Sequence, residues 1–355
     1  MLFRSSGGII RSVRQLLEGT RAVEAGNLDQ SIDVTTGDEI GQLAGAFNRM
    51  VVQLRDNQRI RETFGKYIDP RVVEGLIDRP NLTAAEGQRR EMTVLFCDLK
   101  GFTSLSEGMT PQGLVKVMNR YLSIMSEPIR SNRGIIDKYI GDGIMAYWGP
   151  PFVGEADHAR FACLATMEMI ERITTLRREI PELLGVLGTP METCDLRIGV
   201  ATGEALVGSI GSDVMMSYTV MGDVVNLASR LEGANKAYGT RNLVSERTIA
   251  GAGAAIEVRE IDRVVVAGQT RSEVVFEVLG RKGELAPQQL ASRDRYLEGL
   301  VAYRERRWDD ALRSFNASLE AMPGDGPSMA LLKRVESLKA NPPPQDWDGS
   351  WRIEK

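Results

Sequence analysis

The segment 135-IIDKYIGDGIMAYWG-149 decides the fold of the central part of the chain. Two apolar runs, residues 135–136 and 144–148, flank a Gly-Asp-Gly sequence that is typical of a tight turn between buried strands. We therefore predict a β-hairpin here. Turn chemistry alone accounts for Asp142. It does not account for Lys138, which lies four residues earlier at the end of an apolar strand.

Strands alternate with helices on both sides of this hairpin. The apolar run 92-MTVLFCDL-99 predicts a strand, and Thr110-Pro111 is typical of a helix start. A long helix is expected from about residue 157 to 178, followed by a strand, a helix, a short strand and helix, and two closing strands. Residues 91–281 are therefore predicted to form one α+β sandwich domain.

The first 56 residues carry a different pattern, the heptad spacing of a coiled coil. Its apolar positions are Ile9, Val13, Leu16, Thr20 and Val23 in a first helix, and Ile40, Leu43, Phe47, Met50 and Leu54 in a second. Two short helices joined by an extended connector cannot bury these positions alone, so a parallel four-helix dimer is expected. A plain coiled-coil dimerisation segment is the alternative.

Two further segments flank the α+β domain. Residues 57–90 are predicted to be a helical connector, with Pro70 opening a short helix. Residues 282–355 are predicted to be a small helical tail with a Pro-rich end. The spacing of its aromatic and small residues is like that of one tetratricopeptide repeat, which cannot form a solenoid by itself.

Composition excludes several classes of protein. The net charge of −4 and the pI near 5.5 argue against a nucleic-acid-binding surface. Cys97, Cys163 and Cys194 lack metal-ligand spacing and favour a reduced, cytosolic compartment. The single histidine, His158, lies at a predicted helix start, where a capping or surface role is expected. No apolar run reaches the roughly 18 residues needed to span a bilayer.

Two carboxylates point to phosphate chemistry. Asp98 ends an apolar strand, and Gly101 then allows a sharp turn whose backbone N–H groups, continuing through Phe102 and Thr103, suit phosphate oxygens. Asp142 is a second carboxylate at a strand turn. If the two strands are neighbours, the carboxylates meet, and together they suit a two-metal site for displacement at phosphorus.

Four segments in order resemble the class III nucleotidyl cyclase catalytic domain. They are 94-VLFCDLKGFTSLSE-107, 138-KYIGDGIMAYWG-149, 196-LRIGVATGEALVGSIG-211 and 218-YTVMGDVVNLASRLE-232. Residues 1–56, including 37-GDEIGQL-43, resemble a HAMP signal-relay domain. The resemblance implies a ferredoxin-like α/β sandwich for the catalytic domain, preceded by the HAMP coiled coil.

The resemblance also implies roles for individual residues. Asp98 and Asp142 match the two metal-binding aspartates, with the backbone carbonyl of Leu99 beside them, so two Mg²⁺ or Mn²⁺ ions are expected as cofactors. Lys138 and Thr219 match the pair that reads the purine.

Asn226 and Arg230 match the residues that orient the ribose and stabilise charge at the α-phosphate. Their i, i+4 spacing places both on one helix face independently of the resemblance. The resemblance further implies a homodimer in which each active site takes its aspartates from one subunit, and its Lys, Asn and Arg from the other. Lys138 and Asp142 would then serve different sites.

One stretch departs from the family pattern. A Lys-Gly-Lys sequence that supplies a triphosphate-binding lysine is common near the end of the domain, but this chain has 264-VVVAGQTR-271 there. Ala267 and Gln269 occupy the positions of the lysines. Arg271 is the candidate substitute.

The resulting prediction is an adenylate cyclase that converts ATP into 3′,5′-cyclic AMP and pyrophosphate. A guanylate cyclase and a non-catalytic HAMP-cyclase relay are the alternatives. The expected partners are ATP, a second copy of the chain and an upstream sensor or membrane-spanning segment acting through HAMP, but no nucleic acid. The expected location is the cytoplasm, at the inner face of the membrane if such a segment precedes the chain.

Overall fold

The computed structural model describes residues 3–33, 37–65, 69–73, 87–184, 194–265 and 272–353. The chain divides into two compact units, Met1–Glu74 and Gly75–Lys355.

The first unit contains two long helices, α1 (Phe3–Glu24) and α2 (Glu39–Phe64), and the short helical segment α3 (70–73). Ile32 of the connector packs with Phe47 and Val51 in a small apolar core. The Asn48 side chain fixes the connector, because it donates to the Ile32 carbonyl at 2.8 Å and accepts from the Ile32 N–H at 2.9 Å.

Several heptad residues of this unit remain exposed in a single chain. They include Val13, Leu43, Met50 and Leu54, of which Leu43 is 54% exposed. An apolar stripe of this kind is what a helix presents to a partner helix. The four-helix dimer itself stays a prediction.

The second unit is built around one mixed sheet. Its described strands are β1 (Gln88–Lys100), β2 (Ile135–Ile140), β3 (Gly143–Trp148), β4 (Asp195–Gly211), β5 (Met216–Met221), β6 (Asn242–Ser245), β7 (Ile256–Val265), β8 (Glu273–Arg281) and β9 (Trp351–Arg352). The order is β2-β3-β1-β4-β6-β8-β7-β9, and β5 pairs with β4. The β4–β6 and β7–β9 pairs are parallel, and the others are antiparallel.

Helices cover both faces of the sheet. They are α4 (Phe102–Glu107), α5 (Pro111–Ser131), α6 (His158–Leu184), α7 (Asp223–Tyr238), α8 (Glu246–Ala252), α9 (Pro287–Arg304), α10 (Trp308–Ala321) and α11 (Gly326–Ala340). Alternate residues of β1, including Leu95, Cys97 and Leu99, join the apolar cluster formed with α5 and α6. Because side chains alternate along a strand, Asp98 lies on the opposite face.

Helix α7 lies directly on that opposite face. A Cβ added at Gly199 of β4 would stand 2.1 Å from the Ala228 carbonyl oxygen and 2.2 Å from the Glu232 nitrogen. Only a glycine therefore permits this close approach of helix to strand. The contact places α7, the helix of Asn226 and Arg230, beside the strand that pairs with β1.

The α+β architecture and the hairpin at residues 135–149 are confirmed. Thr110 caps α5 as predicted, accepting from the Gly113 N–H at 3.2 Å. Strand β5 was not predicted, because Met216–Met221 is short and largely exposed. The Pro-rich tail also ends in an unpredicted strand, β9, which pairs with β7.

The prediction for His158 was wrong. The residue is 3% exposed, and its Nδ1 lies 2.7 Å from the Thr93 hydroxyl, which in turn contacts the Thr202 hydroxyl. Burial lowers the pKa of the imidazole. A helix-start position does not reveal that the helix begins beneath the sheet, where the side chain joins a buried hydroxyl network.

Candidate active site

The predicted metal-binding carboxylates lie together. Cys97 of β1 pairs with Ile144 of β3, so the turn between β2 and β3 brings Asp142 beside Asp98. The two carboxyl groups are within hydrogen-bonding reach. Burial, followed by the hydrogen bond and the charge of Asp98, raises the pKa of Asp142 to about 6. Two acidic groups this close favour a cation between or beside them.

Leu99 contacts the carboxylate pair through its backbone. Its N–H donates to the Asp142 carboxylate and favours the ionised form, while its side chain is buried in the core. The predicted contact of its carbonyl oxygen with a metal involves a different group and stays a prediction.

Arg197 is a residue of this site that the sequence analysis missed. It lies directly opposite Asp98 in the β1–β4 register. Its guanidinium Nη2 is 2.5 Å from Asp98 Oδ2, and its Nε is 3.0 Å from Glu232 Oε1 on α7. Burial raises the pKa of Glu232. A basic residue inside the apolar strand 196-LRIGVATG-203 was the available signal.

The predicted purine-reading residues also meet, through a third residue. The Thr219 hydroxyl donates to Asp137 Oδ2 at 2.5 Å, and the Lys138 ammonium lies 3.4 Å from Asp137 Oδ1. The Asp137 side chain is only 2% exposed. The sequence analysis gave Asp137 no role.

The cluster of Asp137, Lys138 and Thr219, here called the purine cluster after its predicted role, is separate from the carboxylate pair within one subunit. Lys138 contacts Asp137, and no hydrogen bond or ion pair joins it to Asp142 among the described residues. The two charged residues that first drew attention therefore belong to different clusters, four positions apart along the same hairpin.

Asn226 and Arg230 lie on α7 with their side chains uncommitted. Asn226 is exposed and Arg230 is half-buried. Neither forms a hydrogen bond or an ion pair with other described residues of the chain. Their donors are therefore available to a ligand.

The predicted phosphate loop is described only in part. Gly101 has φ 84° and ψ 3°, a left-handed conformation that favours glycine. Phe102 then begins α4, with Thr103 in its first turn. The Thr103 side chain lies outside the described residues. So do Ala267, Gln269 and Arg271 in the segment that departs from the family pattern.

Comparison with known proteins now gives the family. The model of the adenylate and guanylate cyclase catalytic domain matches residues 85–278, and the HAMP domain model matches residues 4–56. The chain belongs to this cyclase family. The match includes both carboxylates, the purine cluster and the two polar residues of α7.

Named relatives agree with this assignment. Adenylate cyclase 1 of Rhizobium meliloti (strain 1021) is 32% identical over 278 residues, which are 77% of this chain and 39% of that protein. The adenylate cyclase of Anabaena cylindrica is 30% identical over 276 residues, 75% of this chain and 53% of that protein. The chain thus spans about two-fifths to one half of these relatives' lengths.

Solved structures share the catalytic fold. The adenylyl cyclase CyaB of P. aeruginosa has a TM-score of 0.51 and 32% identity, covering 57% of this chain and all of that one. The guanylyl cyclase Cya2 has a TM-score of 0.50 and 34% identity, covering 56% of this chain and 96% of that one. Both nucleotide specificities therefore occur among similar catalytic domains.

Two features are absent from the residues that the structure describes. No helix there is both long and apolar enough to cross a bilayer. No group of three or more His, Cys, Asp or Glu side chains there is arranged to hold a metal ion.

Proposed function

We propose that the chain is an adenylate cyclase, converting ATP into 3′,5′-cyclic AMP and pyrophosphate. One observation carries the choice of adenine over guanine, namely the hydrogen bond from Thr219 to Asp137. An ionised carboxylate only accepts hydrogen bonds, so the hydroxyl hydrogen is committed to Asp137. Only the lone pairs of the Thr219 oxygen remain for a ligand.

An acceptor at this position matches the 6-amino group of adenine and mismatches the 6-oxo group of guanine. The Lys138 ammonium is a pure donor, which matches N1 of adenine and mismatches the N1–H of guanine. Asp137 contacts both groups and thereby holds the donor and the acceptor at a fixed separation. A site built in this way discriminates strongly, because the wrong base leaves polar groups unpaired.

The carboxylate pair supports metal-assisted chemistry. Oxygen ligands are those that Mg²⁺ and Mn²⁺ prefer. Burial and the neighbouring Asp98 raise the pKa of Asp142, and a bound cation would lower it again. Asp98 and Asp142 would hold up to two ions. When bound, these lower the pKa of the attacking ribose 3′-hydroxyl and neutralise the triphosphate.

The protein's own side chains would stabilise the negative charge that develops on the substrate. Arg230 has free donors for the α-phosphate, where charge develops during attack by the 3′-hydroxyl. Asn226, one turn earlier, orients the ribose. Arg197 supplies a guanidinium beside Asp98, while Arg271 stays the candidate substitute for the family's common lysine.

The separation of the purine cluster from the carboxylate pair supports active sites shared between two subunits of a homodimer. Asp98 and Asp142 would come from one subunit, and Lys138, Thr219, Asn226 and Arg230 from the other. The HAMP domain would relay the signal of an upstream sensor to this dimer. If that sensor includes a membrane-spanning segment, the enzyme works at the cytoplasmic face of the membrane.

The decisive experiment measures turnover of the purified chain with Mn²⁺ or Mg²⁺ and either ATP or GTP. We expect cyclic AMP from ATP and far slower formation of cyclic GMP. A preference for GTP would assign a guanylate cyclase. Absence of turnover with both nucleotides, over a range of protein concentrations, would favour a non-catalytic relay.

A further inference from the structure

A cavity of about 500 Å³ lies between the catalytic core and the C-terminal helices. Its walls are the ends of β1 and β4, the C-terminal end of α7, and the link between α10 and α11. This volume falls within the roughly 300–1,000 Å³ of small-molecule sites. No residue of the purine cluster or of the catalytic face of α7 lines it.

The C-terminal helices close this cavity through a tight backbone contact. A Cβ at Gly326 would stand 2.5 Å from the Tyr238 carbonyl oxygen, and one at Gly239 would stand 3.2 Å from the Gly326 Cα. A buried ion pair adds to the closure, because Arg259 lies 2.9 Å from Asp325 and 2.6 Å from Glu277. Contacts within the chain therefore fix this wall of the cavity without a ligand.

The cavity carries an excess of positive charge. Five basic and three acidic side chains line it. The acidic ones are already paired, since Asp195 contacts Arg241 at 3.0 Å while Asp325 and Glu277 contact Arg259. Lys100 and Lys236 form no ion pair with any described residue.

One arginine of the cavity wall also keeps an unused donor. The Nε of Arg259 is buried and has no hydrogen-bond partner among the described residues, whereas the Arg197 Nε is paired with Glu232. Arg197 is held from outside the cavity, by Asp98 and Glu232. Cationic groups with several unfilled donors and no free acceptor match a phosphate group better than a neutral ligand.

We propose that this cavity is a second binding site, which takes a small molecule bearing a phosphate group. Lys100 and Lys236 would supply the charge, and Arg259 would supply a donor in the wall. The site is independent of the cyclase reaction proposed above. Because Arg197 lines the cavity and also pairs with Asp98, its side chain connects a bound ligand to the carboxylate pair.

The test is titration calorimetry on the whole chain without divalent metal, in chelator, so that the carboxylate pair holds no ion. Inorganic phosphate and ribose 5-phosphate serve as separate probes, with chloride added to keep the ionic strength constant. We expect saturable binding of at least one probe. The tighter of the two distinguishes free phosphate from a phosphate ester as the natural ligand.

Three variants locate the binding. Lys236→Gln removes an exposed charge from the cavity and should weaken binding about tenfold. Lys333→Gln removes an exposed, unpaired charge from α11 outside the cavity and should bind as wild type does. Arg230→Ala should also bind normally. Thermal unfolding without phosphate confirms that each variant folds.

The proposal is overturned by any of three results. The first is no heat beyond the chloride control with either probe. The second is equal affinity in wild type and in the folded Lys236→Gln protein. The third is loss of binding in Arg230→Ala, since the anion would then lie in the catalytic site.

Discussion

The Thr219 hydroxyl lies 2.5 Å from the Asp137 carboxylate, although 82 residues separate them along the chain and their strands are not paired. The β2–β3 register shifts between Ile136 and Lys138, so Asp137 is at an irregularity of the strand. Bulges of this kind redirect a side chain and often lie near active sites. Here the irregularity joins Lys138 and Thr219 through one buried carboxylate.

Substitution Asp137→Asn should lower nucleotide selectivity. The amide can donate to Thr219, which frees the hydroxyl hydrogen to donate to the 6-oxo group of guanine. Loss of a hydrogen bond to a charged group is worth roughly 1.5–3 kcal/mol, so the ratio of kcat/KM for ATP over GTP should fall about tenfold or more. Steady-state kinetics with both nucleotides measure this, and the exposed Asp213→Asn is the control. Unchanged selectivity in an active Asp137→Asn enzyme would contradict the role of Asp137.

The metal-free protein should lose stability relative to Asp142→Asn as the pH rises through about 6. The folded-state pKa of Asp142 lies above its ordinary value of 3.8. Its contribution is therefore fully present below pH 3.8 and is lost as the pH rises through about 6. Urea unfolding of both proteins in chelator, from about pH 4 to pH 7, gives the difference in the free energy of unfolding. A difference that does not change with pH would show that Asp142 titrates normally.

Mixed dimers should recover activity that neither parent has. Asp98→Ala removes a metal ligand and Arg230→Ala removes the α-phosphate contact, so each homodimer should be nearly inactive. In a mixed dimer, one site takes its aspartates from the Arg230→Ala chain and its Arg230 from the Asp98→Ala chain. With random exchange, roughly a quarter of wild-type activity should return. Confirmed mixed dimers with no activity above either parent would rule out sharing of this kind.

Removal of residues 1–56 should make activity depend on protein concentration. The exposed heptad residues of α1 and α2 then no longer support dimerisation. Specific activity should fall on dilution and recover at high concentration, whereas the full chain should hold its activity over the same range. Sedimentation or light scattering at each concentration checks the dimer fraction directly. Equal specific activity of both proteins at every dilution would show that the HAMP domain has no such role.

Substitution Asp262→Asn should destabilise the second unit strongly. Asp262 is fully buried and pairs with Arg334, whose guanidinium also stacks 4.3 Å from the Trp351 ring. Removal of one partner leaves a buried charge uncompensated, at about 3–5 kcal/mol in the free energy of unfolding. Asp309→Asn breaks an exposed pair with Lys339 and should cost about 0–1 kcal/mol. Equal losses in urea unfolding would show that the buried pair does not anchor the tail.

The sequence by itself determined the cyclase family, the α+β architecture and the hairpin of residues 135–149. Local rules are sufficient for the hairpin and for the alternation of strands and helices, because apolar alternation and Gly-Asp-Gly turns depend on near neighbours along the chain. The family followed from the resemblance of four motifs. Strand-end and turn positions also singled out Asp98 and Asp142, whereas the resemblance singled out Asn226 and Arg230. Their chemical roles remain proposals.

Only the tertiary structure decided the partners of these residues. Arg197 meets Asp98 because β4 pairs with β1 across 99 residues, and Asp137 meets Thr219 because a strand irregularity turns its side chain. Burial of His158, the strand β9 and the cavity beside α7 likewise depend on which elements pack together. Contacts of this kind are set by the packing of distant segments, and no local pattern in the sequence encodes them.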